Sequence, residues 1–598
     1  MEPRRPKHKQ APPLEVPQAE LERALRDPNA YVFSNSNAER AAFPRGVPAT
    51  NEDGIPVIHT HMSMVFLLPE RVYKVKKQVD FGFADFSTLY KRFQACFAEV
   101  QLNQRLAPDV YSGVVPISMK RDTREICVRC DDFWTPEKSN NLDYWLNDEF
   151  GEIIEWAVHM VRLPDECTLL HRMDQGELTQ PMLTQVAEKL VNFHANARRG
   201  PGIDHFGQEK VIRRNIEENF RQTEAHVGVT VSEPVYNRVK ELTYARLKQL
   251  KPTLVSRVES GYICDNHGDL RLEHVYMLPS KSTSGKEAAR FVILDCIEFN
   301  EQFRFGDPLS DIAFLMMDIW RKGRPDLARF LQNQYLLKAV QDSPENASLF
   351  AFYAAYRAVV RAKVSGFRVM DTTLSTTQRA SEAQRSRCYW LVALEFLSPP
   401  PQRPCMLLIG GLPASGKSNL ARMLAGDESS TIWLRADATR KELMKQQKAA
   451  ASETEHDSLV KGGGSFEEGL YSPEMTQRTY DEILARSIEH LRQGGRVIVD
   501  ATFRDPLQRK KFVAAAHNEG ALFAFIICEC NREIIKGRLL ARKDDASDAT
   551  WEVYESMEKE WHFPGCSTMA ECSVVNTEKE KELTLRRVQV FLRKIGLL

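Results

Sequence analysis

Long apolar runs, a dense cysteine framework and an excess of charge of either sign are all missing from this sequence. The most apolar stretch, around Ala521 to Cys528, is far shorter than the ~20 residues that a membrane-spanning helix needs. The 598 residues carry 81 Lys plus Arg and 81 Asp plus Glu, which argues against a nucleic-acid binder that depends on bulk basicity. Twelve cysteines are too few for a disulfide scaffold, and the N-terminus lacks the apolar core of a secretory signal. We therefore expect a soluble, cytoplasmic protein with reduced thiols.

Two proline-rich segments divide the chain. The first 17 residues hold five prolines and four Lys or Arg, so residues 1–30 are predicted to be a flexible lead. Four prolines lie in the eight residues that end at Pro404, which predicts an extended linker over 398–404. The chain then separates into one domain at 31–397 and another at 405–598.

The second domain alternates apolar strands with amphipathic helices, which predicts a parallel sheet with crossover helices. Its longest helix has a clear start and end, because Ser472 can cap it, Pro473 suits its first turn and Gly494 follows it. A run of three glycines among mixed charges predicts a mobile insertion at 445–468. The predicted elements are strands at 405–409, 431–434 and 496–499 and helices at 418–424 and 473–492.

The strongest motif in the chain is the octapeptide Gly411-Leu412-Pro413-Ala414-Ser415-Gly416-Lys417-Ser418. It fits the pattern G-x-x-x-x-G-K-[ST], with an apolar strand before it and an amphipathic helix after it. The glycines let backbone N–H groups converge on phosphate oxygens, and the helix N-terminus adds positive dipole. These eight residues are predicted to bind nucleotide phosphates, with Lys417 on the terminal phosphates and Ser418 on Mg²⁺.

Charged residues elsewhere in this domain complete a candidate active site. Asp500 ends an apolar strand, a position that lies beside the Mg²⁺ in phosphate-loop folds. Asp437 suits a base that accepts a proton from a substrate hydroxyl, and Arg440 suits a group that holds the acceptor or a phosphate. The same spacing also fits a helix N-terminus capped by Asp437. Arg538 and Arg542 lie at i and i+4 on one helix face and suit a lid over the transferring phosphoryl group, although a solvated basic face is the usual outcome.

Together these residues resemble small P-loop kinases of the zeta-toxin-like, gluconate-kinase-like and polynucleotide-kinase-like kinds. The resemblance covers 404–598 and implies ATP-dependent phosphorylation of a hydroxyl on a small molecule or sugar nucleotide. It implies that Lys417 and Ser418 hold phosphate and metal and that Asp437 faces the substrate as a base. Arg538 and Arg542 become the lid arginines. The segments that carry the resemblance are the phosphate loop, 437–440, 471–474, 497–502, Arg509 and 538–542.

The first domain carries a weaker set of motifs in a kinase-like order. Asn266-His267-Gly268-Asp269-Leu270 fits the H-G-D-x catalytic loop of kinase-like phosphotransferases, in which Asp269 would accept the proton of the attacking hydroxyl. Downstream, an apolar strand ends in Asp295, the position of a Mg²⁺-binding carboxylate. The predicted elements are strands at 64–75 and 290–296 and helices at 183–194 and 349–364.

A lysine and a glutamate upstream extend this set. Lys74, in Val-Tyr-Lys, is typical of the strand lysine that grips α/β-phosphates, and Glu99, in the helical stretch 93–106, is its candidate partner. Lys76 lies on the same strand face, so the assignment stays open between the two lysines. A solvated edge lysine and a surface glutamate are the structural alternatives. The order lysine, glutamate, H-G-D and aspartate is that of the kinase-like fold.

With 297–300, Arg304, Asp307 and Asp311, the set resembles the aminoglycoside-phosphotransferase-like superfamily. It closely resembles bacterial proteins that join such a domain to a P-loop kinase. The resemblance covers 55–397 and implies a bilobal fold, with lobes at about 55–157 and about 158–397.

Two positions depart from the family pattern. His274 stands where kinase-like enzymes carry a metal-binding Asn, so it is assigned either to the metal or to substrate or phosphate. Thr60-His61-Met62-Ser63 stands where a Gly-rich loop would cover the phosphates. Both departures leave open a first domain that binds a ligand without catalysis.

We therefore expect an α+β, kinase-like bilobal domain followed by a three-layer α/β P-loop kinase domain with a parallel sheet. The expected activity is ATP- and Mg²⁺-dependent phosphoryl transfer to a hydroxyl of a small molecule. Neither a membrane nor a nucleic acid is an expected partner, although a polynucleotide end stays open as acceptor. Two alternatives remain: only the P-loop module reacts while the first module binds or senses a ligand, or the chain is a nucleotide-switched regulatory protein with slow ATP hydrolysis.

Overall fold

A computed structural model describes most of the chain. The described residues are 16–33, 54–82, 84–135, 146–147, 151–281, 287–372, 374–426, 430–454, 472–541, 550–562, 571–578 and 580–598. Two compact units are present. The first comprises Met1–Gly207 with Ser260–Asp311, and the second comprises Gln208–Glu259 with Ile312–Leu598.

A mostly antiparallel sheet dominates the first unit. Its strands are β1 (Tyr31–Val32), β2 (Val57–His59), β3 (Ser63–Leu67), β4 (Arg71–Lys76), β5 (Tyr111–Met119), β6 (Ile126–Arg129), β7 (Leu146–Asn147) and β8 (Gly151–Val161). They run in the order β1-β6-β5-β8-β4-β3-β2, with β7 paired to β8. The strand β4, which carries both candidate lysines, is therefore interior to the sheet, between β8 and β3.

Successive side chains of the strands enter different apolar clusters, as expected for the two faces of a sheet. Tyr73 packs in one cluster with Leu21 of α1 (Gln18–Leu25). Its neighbour Val72 packs in the other with Phe93 of α2 (Leu89–Gln104). This second cluster holds α2, and with it Glu99, against the sheet.

The rest of the first unit surrounds the H-G-D segment. The helices are α3 (Leu169–Asp174), α4 (Gln180–Asn196) and α5 (Pro201–Asp204). The short strands β9 (Cys264–Asp265) and β12 (Phe305–Gly306) pair with each other, and β10 (Val275–Lys281) and β11 (Glu287–Ile293) form a hairpin.

Two strand predictions in this unit need correction. The stretch 64–75 is two strands, β3 and β4, because the chain turns at Pro69 and Glu70 between them. The stretch 290–296 ends earlier, at Ile293, and Asp295 then adopts a φ of +65° that turns the backbone out of the strand. The predicted flexible lead is also partly wrong, because Leu21 and Leu25 at i and i+4 bury one face of α1.

Helices precede the C-terminal sheet along the chain. They are α6 (Glu209–Thr223), α7 (Glu233–Glu259), α8 (Pro308–Arg321), α9 (Pro325–Lys338), α10 (Pro344–Val369) and α11 (Thr376–Leu397). The predicted helices at 183–194 and 349–364 correspond to α4 and α10. In the described ranges, no helix combines the length and the apolar character that crossing a membrane requires.

The C-terminal sheet of the second unit is parallel throughout, which confirms the predicted sheet. Its strands β13 (Cys405–Gly410), β14 (Thr431–Arg435), β15 (Arg496–Asp500), β16 (Leu522–Glu529) and β17 (Cys572–Asn576) run in the order β14-β15-β13-β16-β17. The accompanying helices are α12 (Lys417–Ala425), α13 (Ala436–Thr454), α14 (Pro473–Arg492), α15 (Pro506–Glu519), α16 (Arg532–Leu540), α17 (Trp551–Lys559) and α18 (Lys581–Ile595).

The helix α14 begins and ends as its sequence predicts. Ser472 Oγ accepts a hydrogen bond from the Met475 N–H at 3.2 Å, and Pro473 occupies the first turn. Gly494 follows with a φ of +77°, which a residue with a side chain rarely adopts.

The Pro-rich segment differs from the extended spacer that its composition predicts. Pro400–Gln402 form a 3₁₀ turn, and Arg496 Nη1 donates to the carbonyl oxygens of Pro400 at 3.3 Å and Arg403 at 3.1 Å. The guanidinium therefore anchors this segment to the start of β15. The domain boundary at 398–404 stays a prediction.

The predicted mobile insertion at 445–468 begins inside a helix. Because α13 continues to Thr454, residues 445–454 are helical. Residues 455–468 lie outside the described residues.

A buried carboxylate connects α11 to the C-terminal sheet. Glu395 accepts a hydrogen bond from Trp320 Nε1 at 2.7 Å and another from the Leu522 N–H, at the start of β16, at 2.9 Å. Burial raises the pKa of Glu395 to about 8, although both donors and Arg403 favour the charged form. In the unfolded chain this carboxyl has a pKa of ~4.3. Glu395 therefore contributes most to the free energy of unfolding below pH ~4.3, and this contribution is lost as the pH rises through 8.

We expect Glu395→Gln to destabilise the second unit most at low pH. A glutamine amide can accept only one of the two hydrogen bonds, which costs about 1–3 kcal/mol near pH 5.5. At pH 9 the native protein carries a buried charge that glutamine lacks, so the difference in melting temperature should narrow. Thermal unfolding at both pH values checks this, with Glu489→Gln, an exposed change on α14, as control. A pH-independent difference would contradict the raised pKa.

Candidate active sites

The phosphate-loop segment forms a tight bend between β13 and α12, as predicted. Gly411 and Gly416 adopt φ values of +135° and +94°, and Ala414 adopts +59°. A Cβ on Gly411 would lie 2.4 Å from the carbonyl oxygen of Cys528, so only glycine fits there. Lys417 Nζ donates to the Leu412 carbonyl at 2.9 Å and so lies across the bend.

Asp500 ends β15 beside this bend. Burial raises the pKa of the Asp500 carboxyl, while the Lys417 charge and a hydrogen bond from Ser418 oppose the rise. A buried carboxylate next to a hydroxyl is a donor set that suits Mg²⁺, which prefers oxygen ligands. The described ranges contain no group of three or more His, Cys, Asp or Glu side chains arranged as a metal site. An ion held by Ser418 and Asp500 would therefore complete its shell with water and phosphate oxygens.

Asp437 and Arg440 lie together in the first turn of α13. Arg440 Nη1 is 3.0 Å from Asp437 Oδ1; the arginine is buried and the aspartate is one-third exposed. Besides burial, the negative charge of Asp437 raises the pKa of Asp500, so the two carboxylates are close in space. The helix begins at Ala436, which places Asp437 inside it rather than at its N-cap.

Arg538 lies in the predicted lid helix, α16, and contacts the phosphate loop. Its guanidinium donates to the carbonyl oxygens of Ala414 at 3.2 Å and of Thr577 at 2.7 Å. Its predicted role on a transferring phosphoryl group stays a prediction, and Arg542 lies outside the described residues. Arg509, which carried part of the resemblance, donates to the Phe503 carbonyl at 2.6 Å and so supports the loop after Asp500.

Thr577 is a site residue that the sequence does not single out. Its hydroxyl donates to the carbonyl oxygen of Ser415, 2.6 Å away, and lies 3.1 Å from that of Glu529. It therefore attaches the end of β17 to the phosphate loop. No motif surrounds it, and 162 residues separate it from Ser415.

A cleft of about 980 Å³ opens over the phosphate loop. Five cationic side chains line it, against the two carboxylates Glu578 and Glu580. The cations are Lys417, Arg422, Arg435, Arg538 and Lys581. This charge balance suits a polyanionic ligand.

In the first unit, the H-G-D segment is held by one buried carboxylate. Asp311 accepts hydrogen bonds from the backbone N–H groups of His267 at 2.8 Å and Gly268 at 2.9 Å. His194 Nε2 lies 3.3 Å from the same carboxylate, so this helix histidine is a partnered core residue, as predicted. Gly268 adopts a φ of +89°, which gives the loop its bend.

His274 lies between Asp269 and Asp295, within 3.7 Å of each carboxylate. His274 Nδ1 lies 2.8 Å from the Asp269 carbonyl oxygen and 3.7 Å from its carboxylate, and His274 Nε2 lies 3.7 Å from Asp295 Oδ2. A carbonyl oxygen only accepts, so Nδ1 carries the proton and Nε2 the lone pair. That lone pair faces Arg271 Nη2 at 2.9 Å.

Arg271 is a second residue that the motif did not single out. Its Nη2 lies 2.9 Å from Asp269 Oδ2, and it also pairs with Glu273. Arg271 therefore contacts both the candidate base and the histidine that replaces the usual asparagine. Asp269 and Asp295 carry the oxygen ligands that a divalent cation prefers, but both carboxylates already have cationic partners, Arg271 and Lys74. His274 uses its lone pair on Arg271.

Both candidate lysines contact Glu99. Lys74 Nζ lies 2.8 Å from Glu99 Oε1 and 2.7 Å from Asp295 Oδ1, and Lys76 Nζ lies 2.6 Å from Glu99 Oε2. The Lys74 ammonium holds the pKa of Asp295 well below its usual range. Thr60 and Ser63, expected to cover phosphates, form the tight turn between β2 and β3, where Thr60 Oγ1 accepts from the Ser63 N–H at 2.9 Å.

Comparison with known protein families and curated proteins finds clear relatives. Residues 406–564 match the family model described as "AAA domain". Uncharacterized proteins of Mycobacterium tuberculosis and Mycobacterium bovis are 30% identical to the chain over 511 residues, which is 85% of this chain and 90% of each relative.

Several solved structures are similar to parts of the chain. A gluconokinase from Sinorhizobium meliloti is 13% identical, with 32% of this chain and 94% of that one covered and a TM-score of 0.24. A sugar kinase from Janibacter is 16% identical, with 32% and 95% covered and a TM-score of 0.23. A microcompartment-associated aminopropanol kinase is 13% identical, with 58% and 94% covered and a TM-score of 0.32.

We expect Gly411→Ala to abolish ligand binding at the phosphate loop. The added Cβ would clash with the Cys528 carbonyl and with Ser415 Oγ, so the bend must open. Gly426→Ala is the matched control, because it also has a positive φ but no atom within 4 Å of the added Cβ. Titration with ATP should show loss of binding at the phosphate loop in the first variant only, measured as one nucleotide fewer per chain than in the control, because the first unit carries a second predicted nucleotide site. Equal stoichiometry in both variants would contradict the proposed steric role of Gly411.

Proposed function

The chain belongs to the same family as the mycobacterial relatives, and we propose that it is an ATP- and Mg²⁺-dependent phosphotransferase acting on a hydroxyl of a small molecule. The observation that carries this proposal is the bend at 411–418 with a buried Asp500 beside Lys417 and Ser418. Such a bend presents backbone N–H groups and a helix N-terminus to phosphates. The match of 406–564 to an AAA-domain model supports a nucleotide at this place.

The residues around the bend suit phosphoryl transfer. The acceptor oxygen would form a bond to the terminal phosphorus as the bond to the bridging oxygen of ADP breaks, and Asp437 would take the acceptor's proton. Lys417 would neutralise charge on the phosphates, while Arg440 holds Asp437 in place through the 3.0 Å ion pair. Mg²⁺ bound by Ser418 and Asp500 would supply further charge neutralisation.

The first unit is proposed to be an aminoglycoside-phosphotransferase-like, kinase-like module. Lys74 pairs with Glu99 and Asp295, and His274 lies between Asp295 and Asp269, so the four candidate residues are close together, as a nucleotide and its metal need. Their convergence from four separate segments supports the resemblance more strongly than any of the motifs alone.

A second candidate keeps catalysis in the P-loop module alone. The contacts of Arg271 with Asp269 and with the lone pair of His274 favour it, because they occupy the candidate base and the position of the usual metal-binding asparagine. In that case the first module would bind or sense a ligand. A nucleotide-switched regulatory protein is the third candidate, supported by the phosphate loop alone.

Acceptor-dependent ADP production distinguishes these functions. The full-length protein with Mg²⁺ and ATP is screened against panels of sugars, nucleosides, amino alcohols and polynucleotide ends. We expect one class to stimulate turnover, and Lys417→Ala to lower the stimulated rate about 100-fold or more, because the ammonium contacts the transferring phosphate. Lys510→Ala, an exposed lysine on α15, is the matched control.

Asp269→Asn shows whether the first module reacts. Loss of a separate acceptor-dependent activity in this variant, with Asp122→Asn as an exposed control, would support two catalytic sites. Activity that disappears only with Lys417→Ala would support one. Turnover that no acceptor class stimulates would contradict the phosphotransferase and leave the nucleotide switch.

A further inference from the structure

Two lysines on one strand grip the two oxygens of a single glutamate. Lys74 Nζ lies 2.8 Å from Glu99 Oε1, and Lys76 Nζ lies 2.6 Å from Glu99 Oε2. Their side chains differ in access, because Lys74 is 15% exposed and Lys76 is 1% exposed. Lys74, which also pairs with Asp295, is therefore the more accessible of the two lysines.

Lys76 has a second partner that no motif indicates. Its ammonium pairs with the carboxylate of Glu298, three residues after Asp295, and the Phe86 ring lies 5.6 Å from it. The Glu298 side chain is 8% exposed. Glu298 thus shares Lys76 with Glu99 in one buried cluster of charges.

The segment between Asp295 and Glu298 is connected to every other part of the site. The Cys296 N–H donates to Asn103 Oδ1 of α2 at 2.9 Å, and the Ile297 N–H donates to the His267 carbonyl at 3.1 Å. Movement of this segment would therefore displace both the helix that carries Glu99 and the loop that carries Asp269.

The contacts of Lys74 must change when a nucleotide enters. Lys74 pairs with Asp295, the candidate metal ligand, at 2.7 Å. A lysine that turns to phosphate leaves this carboxylate and keeps Glu99. Glu99 would then need a second cation to stay in place, and Lys76 is that cation.

We propose that Lys76 and Glu298 are positioning residues of the first unit's nucleotide site. Their buried ion pair keeps Glu99 and the Asp295 segment in position while Lys74 moves from Asp295 to phosphate. This inference rests on the proposed nucleotide-binding function of the first unit. It assigns Lys74, and not Lys76, to the phosphate.

The test is a double-mutant cycle in full-length Gly411→Ala protein, in which binding at the phosphate loop is expected to be lost and the first unit is the remaining proposed nucleotide site. Titration with Mg²⁺ and ATP measures affinity for Lys74→Met, Lys76→Met, Glu298→Gln and the Lys76→Met/Glu298→Gln double variant. Lys91→Met is the control, because Lys91 is a half-exposed lysine on the helix that carries Glu99.

We expect Lys74→Met to abolish binding, because it removes the phosphate contact. Lys76→Met and Glu298→Gln should each weaken ATP binding about 10- to 100-fold, because Glu99 and the Asp295 segment are misplaced. The double variant should bind ATP no more weakly than the single variant with the lower affinity. Lys76→Arg should restore most of the affinity, since it keeps the charge. Melting temperatures near that of the parent identify the loss as one of positioning rather than of folding.

Three results overturn the inference while leaving the proposed function intact. The first is ATP binding in Lys76→Met and Glu298→Gln that equals the parent's, and the second is additive losses in the double variant. The third is abolished binding in Lys76→Met with normal binding in Lys74→Met, which would exchange the roles of the lysines. Absence of ATP binding in the Gly411→Ala parent would instead overturn the proposed nucleotide function of the first unit, and the inference with it.

Discussion

Carboxylates removed from water need partners, and this constraint holds both candidate sites in shape. In the first unit Asp311 accepts two backbone N–H groups of the H-G-D loop, and Glu99 receives two lysines. In the second unit Asp500 lies buried beside Lys417, and Glu395 joins α11 to β16. Each of these groups contacts residues far away in the chain, so satisfying it brings separate segments to one place.

The two sites are built in different ways. The phosphate loop depends on backbone geometry: positive φ values at 411, 414 and 416 and a carbonyl oxygen 2.4 Å from where a Cβ of Gly411 would stand. The site of the first unit depends on side chains from β4, α2, the H-G-D loop and the segment after β11. Side-chain ion pairs can exchange partners when a charged ligand enters, whereas a bend fixed by sterics is already formed. The contacts of the first site can therefore be exchanged, whereas the shape of the phosphate loop is set by its backbone.

Local sequence predicted those parts that depend on neighbouring residues. The helix at 473–492 was predicted with both of its ends, because its cap, its first-turn proline and its final glycine all lie within the same stretch. The parallel sheet followed from alternating strands and helices. Predictions failed where distant contacts decide. Leu21 and Leu25 pack the helix Gln18–Leu25 within the range expected to be a flexible lead, and Arg496 anchors the segment expected to be an extended linker.

The sequence by itself determined the phosphate loop, the order of the kinase-like motifs and the alternation of the C-terminal domain, because each is written in residues that are adjacent or evenly spaced. Only the tertiary structure decided that Thr577 and Arg538 brace the loop, that Arg271 contacts Asp269, and that Lys76 pairs with Glu298 while Lys74 reaches Asp295. The physical reason is that a side chain's partner depends on which distant segments are packed beside it, and no spacing along the chain records that.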